Sequence, residues 1–207
     1  MNSILSLYLE KKLLYSENDA TVIVHIFKFL CYFMSLFGAC LADQFLDKFK
    51  TIIYLSIVYV VGHVIKTVAT MTSYRSIPHN ELTLLGLAVI AVGTGGIKPC
   101  VAAFAGDQFE LPEQEKEVQR FFSIFYLSIN IGSLVTIFVG PELISVHCFE
   151  EEDCYPLAFG VPALLMFMAT VIIIIGKPFY TIKPADGIVT KSFGIVWKGL
   201  TSDQLLI

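Results

Sequence analysis

The chain has 207 residues, of which 56% are hydrophobic and only 15% are charged, and its formal net charge is −4. Soluble domains carry about 25% charged residues, so this composition excludes an ordinary water-soluble domain and favours a membrane protein. The mildly negative charge also excludes nucleic acid as an expected partner, because nucleic-acid-binding domains present a strongly basic surface.

Five apolar stretches are long enough to cross a bilayer, which takes about 20 residues of helix. They are preceded by an apolar stub, Ser3–Leu9, which is too short to span. In chain order, the predicted spans are Val22–Leu41, Ile52–Met71, Leu82–Gly106, Phe121–Leu143 and Leu157–Gly176. The sequence therefore predicts an all-α, multi-pass membrane bundle over residues 1–176, with the lipid bilayer as its surroundings, followed by a polar cytoplasmic segment over residues 177–207.

The basic residues predict the orientation of this bundle, because lysine and arginine are concentrated on the cytoplasmic side. Lys11, Lys12 and Arg75 lie on one side of the predicted spans. The other side, which we expect to be cytoplasmic, carries Lys48, Lys50, Lys116, Arg120, Lys177, Lys183, Lys191 and Lys198. The acidic loop Ser145–Tyr155 then lies outside the cell, where its two cysteines, Cys148 and Cys154, could form a disulfide.

Lys98 lies within the Leu82–Gly106 span, where a lysine costs about 2.5–3.5 kcal/mol on insertion scales. Such a residue is expected to face a polar cavity or a partner. The glycines before it allow a neighbouring helix to approach closely, and Pro99 removes one backbone donor beside the charge. The alternative is that Lys98 extends its ammonium to a nearby membrane interface.

Other polar side chains in the spans are candidates for function. His25 is one of them, because histidine is the residue type suited to a proton relay near physiological pH, and Tyr32 lies two turns further along the same face. Tyr126 and Asn130 are i,i+4 neighbours that could hold a substrate or simply join helices, a bond worth about 0.6 kcal/mol in membranes. His63 and Lys66 share a face near the end of their span, and we expect them mostly to reach the interface.

Two motifs carry a family resemblance. Gly95-Gly-Ile-Lys-Pro-Cys-Val-Ala-Ala-Phe104, followed by Gly106-Asp-Gln-Phe109, resembles the fourth membrane helix of the proton-coupled oligopeptide transporters, which belong to the major facilitator superfamily. Residues 125–132 resemble the fifth-helix signature of that family, Phe-Tyr-x-x-Ile-Asn-x-Gly. The similarity extends from about Ile4 to Lys183. Gly62–Lys66 and Cys154–Pro162 are most similar to the high-affinity, kidney-type branch of the animal transporters.

The resemblance implies the fold and the activity. The fold would be an incomplete amino-terminal six-helix bundle of the major facilitator type, with five full spans and a stub. The activity would be symport of di- and tripeptides with protons across the plasma membrane, with protons as the coupling ion and with no organic cofactor or metal.

The resemblance also assigns residue roles. Lys98, Tyr126 and Asn130 would contact the peptide, we place Tyr32 with them, and His25 would take part in proton coupling. The loop between the second and third helices would act in gating and includes Gly38, Asp43, Lys48 and Lys50, while Asp47 stands where the family commonly has glycine.

Two parts of the family pattern are missing from these residues. The Glu-x-x-Glu-Arg motif of the first helix would lie before Met1, and the second six-helix half has no counterpart, so we expect a truncated chain that is inactive alone. It would need the missing carboxy-terminal half or a full-length transporter as a partner.

The rival hypotheses are a non-transporting membrane protein that associates with a full-length transporter, and a structural protein that resembles four-span proteins. Catalysis is not expected, because Gly93–Lys98 lacks the gap and the Lys-Ser/Thr ending of a phosphate loop.

Overall fold

The computed structural model describes residues 2–71, 79–146, 154–185 and 187 of the chain. In these ranges every regular element is helical, which confirms the all-α prediction. The main helices are α1 (Asn2–Lys11), α2 (Glu17–Leu41), α3 (Lys48–Met71), α4 (His79–Gly106), α5 (Glu115–Ser145) and α6 (Tyr155–Ile175). A π-helical turn, Ala42–Leu46, joins α2 to α3, and a 3-10 turn, Lys177–Phe179, follows α6.

Five helices, α2 to α6, are long and apolar enough to cross a membrane. α1 has ten residues, about 15 Å of helix, and cannot span a hydrocarbon core of about 30 Å. The prediction of five spans preceded by a stub is therefore confirmed.

The helices begin earlier than the predicted spans because they continue past the apolar core into polar caps. α2 begins at Glu17 rather than Val22, since the Ser16 hydroxyl accepts a hydrogen bond from the Asp19 backbone N–H at 3.2 Å, an N-cap contact. α5 begins at Glu115 rather than Phe121, and its acidic first turn complements the positive end of the helix dipole.

Helices α3 and α4 form the centre of the packing, with α2 against α4 and α6 against α3. Close approach depends on glycine: a methyl group on Gly93 of α4 would lie 2.7 Å from Cβ of Tyr59 on α3. α1 is anchored on two sides. Leu5 and Leu9 join a buried cluster with residues of α2 and α4, and Tyr8 joins a second cluster with α6.

Helix α5 is the least buried of the membrane-crossing helices, since no residue of its apolar window is buried. It meets α6 through Leu143 and Ile144 near its carboxyl end. Near its amino end, the Phe121 ring lies 5.5 Å from the ring of Phe109, just beyond α4. The middle of α5, which carries two predicted site residues, is therefore exposed.

Candidate functional site

The position of Lys98 is set by a close contact between α2 and α4. Gly38 of α2 packs backbone to backbone on Gly96 of α4, so that a methyl group on Gly38 would overlap the Gly96 backbone. Cys100 Sγ donates to the Gly96 carbonyl oxygen at 3.1 Å. One turn earlier on α2, Ser35 Oγ donates to the Gly95 carbonyl oxygen at 3.0 Å. The predicted close approach at these glycines is present.

Lys98 itself is exposed, and its ammonium lies 5.4 Å from the centroid of the Tyr32 ring on α2. This is within the range of a cation–π contact, which is about 6 Å. Lys98 lies eight residues before the end of α4, about 12 Å along the helix axis. The ammonium is thus placed beside Tyr32, and this favours the cavity interpretation over extension to the interface.

His25 lies two turns before Tyr32 on α2, and both side chains are exposed. The Nδ1 atom of His25 is 2.8 Å from the Thr21 carbonyl oxygen. Because a carbonyl oxygen can only accept, this contact requires hydrogen on Nδ1. The other ring nitrogen, Nε2, is then the atom that can take up a proton.

Tyr126 and Asn130 lie on the exposed middle of α5. Asn130 Nδ2 donates to the Tyr126 carbonyl oxygen at 2.9 Å, within the same helix. The Tyr126 ring packs on Phe125, with ring centroids 5.7 Å apart. In the part of the chain that the structure describes, neither side chain hydrogen-bonds to Lys98. The structure therefore brings Tyr32 and Lys98 together but does not join them to Tyr126 and Asn130.

The segment between α2 and α3 contains Asp47 in a backbone conformation that favours glycine, with φ of 70°. The Asp47 carboxylate accepts a hydrogen bond from the Lys50 backbone N–H at 2.8 Å and lies 2.9 Å from Lys50 Nζ. The Asp47 carbonyl oxygen accepts from the Thr51 hydroxyl at 2.8 Å. The tight turn thus persists without glycine, because Asp47 caps α3 with its own side chain.

The other predicted loop residues have separate positions. Gly38 lies inside α2 rather than in the loop, since the helix continues to Leu41. Asp43 lies in the π-helical turn, and its carbonyl oxygen accepts the Gly187 N–H at 2.9 Å. Lys48 forms an ion pair with Asp107, a residue just beyond α4 that the sequence did not single out.

Asp107 is shared between two lysines, since Lys183 Nζ lies 3.4 Å from its other carboxylate oxygen. The next residue, Gln108, is bonded at both ends of its amide to the Thr181 backbone, at 2.9 and 3.1 Å. These contacts tie the segment after α6 to the ends of α3 and α4. Asp107 and Gln108 belong to the Gly-Asp-Gln-Phe motif, and this was the signal in the sequence that could have identified them.

The expectation that His63 and Lys66 reach the membrane interface is wrong. Both are buried, at 1% and 2% exposure. The Lys66 ammonium lies 3.6 Å from the centroid of the Phe159 ring on α6. The cause is tertiary packing, because α6 and α1 cover this face of α3. The neighbouring Gly62, where a methyl group would meet the Ile90 backbone at 2.8 Å, was the signal of a helix interface.

Cys154 is disulfide-bonded, whereas Cys148 lies outside the described residues, so the predicted pairing stays a prediction. Among the described residues, no group of three or more His, Cys, Asp or Glu side chains could hold a metal ion.

A cavity of about 280 Å³ lies between α5 and α6 against Tyr59. Its lining is mostly apolar and does not include Lys98, so it is not a candidate peptide site.

Comparison with known proteins identifies close relatives. Residues 49–203 match the model of the POT family. The chain is 50% identical to human "Solute carrier family 15 member 2" over 205 residues, covering 98% of this chain and 28% of that protein. It is 48% identical to "Peptide transporter family 1" of Drosophila melanogaster over 188 residues, covering 90% of this chain and 25% of the relative. The chain thus spans about a quarter of the length of these curated relatives.

Solved structures give the same result for the fold. The crystal structure of the POT family transporter PepTSo superposes with a TM-score of 0.76 at 34% identity, covering 89% of this chain and 35% of that one. A second POT family transporter matches with a TM-score of 0.74 at 32% identity, covering 99% of this chain and 43% of the other. The helices therefore have the arrangement of part of a major facilitator fold. The chain belongs to the POT family.

Proposed function

We propose that the chain forms the amino-terminal part of a symporter that carries di- and tripeptides together with protons across the plasma membrane. Membership of the POT family and the names of the relatives support this proposal. The observation that carries it is the exposed cation in the middle of a membrane helix, Lys98, held beside the Tyr32 ring.

The geometry suits a zwitterionic peptide. A peptide presents a carboxylate at one end, an ammonium at the other and amide groups between them. The Lys98 ammonium can bind the carboxylate, and an ion pair is strengthened where the surroundings have a low dielectric constant. Tyr32 stands beside Lys98 and shapes that end of the site.

Tyr126 and Asn130 would contribute from α5 to the same peptide. Their side chains are exposed, and Asn130 keeps its carbonyl oxygen available while its amide nitrogen bonds within the helix. An acceptor oxygen and a phenol can bind the amide hydrogens and the amino terminus of a peptide. A bound peptide would bridge the gap between these two side chains on α5 and Lys98 on α4.

His25 would hold the coupled proton. Its Nδ1 hydrogen is engaged with the Thr21 carbonyl oxygen, so uptake occurs at Nε2. The imidazolium and Lys98 are then two positive charges on the same open face of the bundle, and a peptide carboxylate compensates part of their repulsion. Peptide binding therefore favours proton uptake, and by linkage proton uptake favours peptide binding.

The cytoplasmic contacts would let the helices move as one body. Lys48, Asp107 and Lys183 tie α3, α4 and the segment after α6 together. The close Gly38–Gly96 contact fixes α2 on α4. In transporters of this general type, substrate binds between two halves that rock against each other, and the second half would close the face that carries Lys98.

The test compares the chain alone with a completed transporter. The completed version is a fusion of the chain with the segments of human "Solute carrier family 15 member 2" that lie outside the 205 matched residues. Both are placed in lipid vesicles, and uptake of a labelled dipeptide is measured with and without an inward proton gradient. We expect gradient-driven uptake only by the completed transporter. Uptake by neither protein, with both inserted and folded, would contradict the proposal.

A second candidate function is association with a full-length transporter without transport by this chain itself. The observation that favours it is the exposure of α5, whose apolar window contains no buried residue. Co-expression of the tagged chain with the human relative tests this candidate. Recovery of the relative with the tagged chain, together with a change in uptake, would support it.

A further inference from the structure

Helix α3 carries a buried cation near its carboxyl end. The Lys66 side chain is 2% exposed, and its ammonium lies between aromatic rings, 3.6 Å from the Phe159 centroid and 6.0 Å from the Tyr8 centroid. In the ranges that the structure describes, no carboxylate forms an ion pair with Lys66. Aromatic faces attract a cation, but they do not neutralise its charge.

One turn earlier on the same face lies His63, which is 1% exposed. Its Nδ1 atom is 3.2 Å from the Phe159 carbonyl oxygen. Since that oxygen can only accept, Nδ1 carries hydrogen, and in the neutral ring Nε2 is left as a bare acceptor. Nε2 is buried and has no hydrogen-bond partner. Buried polar atoms are normally paired, so this nitrogen requires an explanation.

Within the described part of the chain, the other titratable groups around the two residues are phenols. Tyr8 comes from α1 and Tyr155 from α6, and their rings pack edge to face at 5.1 Å. Tyr59 comes from α3 itself and lies 4.5 Å from the His63 ring. α4 contributes a neutral hydroxyl, Thr83, which is 3.4 Å from the Tyr8 hydroxyl, and the backbone at Gly86, which faces Lys66.

These surroundings restrict the charge that the site can hold. Among the residues that the structure describes, none of the groups that face Lys66 and His63 is a carboxylate that could compensate two positive charges. Like charges a few ångströms apart repel strongly in a medium of low dielectric constant. Residues three apart on a helix are neighbours on one face, so the two nitrogens compete for a single positive charge.

We propose that Lys66 and His63 form a buried proton-holding pair that carries one proton between Lys66 Nζ and His63 Nε2. The proton is held either as an ammonium beside a neutral imidazole or as an amine beside an imidazolium. The two forms differ only in whether the N–H bond is at Nζ or at Nε2, so the total charge is +1 in both. The pair is separate from His25 and lies where α1, α3 and α6 meet. Its use as a second proton site in transport rests on the proposed function, whereas its protonation does not.

The test is nitrogen-15 NMR of the chain in lipid vesicles, with labelled lysine and histidine, over the pH range in which the chain stays folded. The Lys66 and His63 signals are assigned from their absence in Lys66→Met and His63→Gln. In the wild type, we expect the ammonium signal of Lys66 and the imidazolium signal of His63 together to account for no more than one proton at any pH in this range. In Lys66→Met, we expect His63 to form imidazolium at pH values where the wild type shows none.

The chain offers a matched control, because His25, which is exposed, and Lys28, which is half-buried, repeat the three-residue spacing on α2. Lys28→Met should leave the signals of His63 unchanged. Methionine is suited to the Lys66 site because its thioether packs well against aromatic rings, and the hydrogen-bonded Nδ1 signal of His63 reports whether α3 and α6 remain packed. If Lys66→Met does not fold, the wild-type spectra alone decide.

Two results would overturn the proposal. One is a summed intensity of the Lys66 ammonium and His63 imidazolium signals that exceeds one proton per chain. The other is an unchanged His63 in a folded Lys66→Met variant, which is the behaviour of a purely structural lysine. Neither measurement involves transport, so failure of the pair is distinguishable from failure of the proposed function.

Discussion

Gly38 of α2 and Gly96 of α4 touch backbone to backbone, and Lys98 follows two residues after that contact. The position of the cation therefore depends on the absence of a side chain at Gly38. Helix interfaces in membranes use small residues in this way, because van der Waals packing rather than the hydrophobic effect joins the helices.

The first prediction follows from this contact. Gly38→Ala should destabilise the chain by about 1–3 kcal/mol, the usual cost of overpacking, because the new methyl group overlaps the Gly96 backbone. Gly132→Ala on α5 is the matched control, since nothing lies within 4 Å of the added carbon. Alanine is the better helix former by about 1 kcal/mol, so the control should be neutral or stabilising. Thermal unfolding of both variants in the same lipid or detergent measures the difference, and equal effects would contradict the packing argument.

The second prediction concerns the turn at Asp47. Asp47→Ala should cost about 1–2 kcal/mol, because alanine keeps the unfavourable positive φ and removes the cap on the Lys50 N–H. Asp47→Gly should cost less, because glycine adopts this conformation without strain. Unfolding measurements on the two variants give the order, and a glycine variant less stable than the alanine variant would contradict the argument from backbone strain.

The third prediction concerns the acidic loop. We expect the Ser145–Tyr155 loop to be extracellular, with Cys148 bonded to Cys154. In sealed cells, thiol reagents should then label these cysteines only after reduction, and from the outside. Cys40 is exposed and free near the carboxyl end of α2, which we expect to lie on the cytoplasmic side. It should therefore react from that side without reduction. Labelling of Cys148 and Cys154 from the cytoplasmic side alone would contradict both the topology and the pairing.

The sequence was sufficient to predict the membrane-crossing helices, because a span needs only length and apolar composition. It was also sufficient to place a close helix contact at the glycines before Lys98. The sequence did not predict the burial of His63 and Lys66. A polar pair near a helix end has the same sequence pattern whether it faces water or another helix. The burial of Lys66 depends on Tyr8 and Phe159, which lie far from it in the sequence.

The candidate site was predicted only in part for a similar reason. Tyr32 and Lys98 meet because α2 and α4 pack on each other. Tyr126 and Asn130 lie on α5, which packs near its carboxyl end in a cluster with Tyr8 and α6 and near its amino end on Phe109. Helical spacing placed these two residues on one face, but it carries no information about the distance between that face and α4.

Dipeptide uptake by the completed transporter with Lys98→Ala and Lys98→Arg, at matched surface expression, tests most directly whether Lys98 binds the peptide. Removing the charge relieves its cost in the membrane, so the alanine variant should insert and fold normally, and gradient-driven uptake should be lost because the peptide carboxylate has no partner. Arginine should restore uptake only in part, since its planar guanidinium differs from an ammonium in shape and hydration. Near-normal uptake by the alanine variant would contradict the assignment of Lys98 to the peptide site.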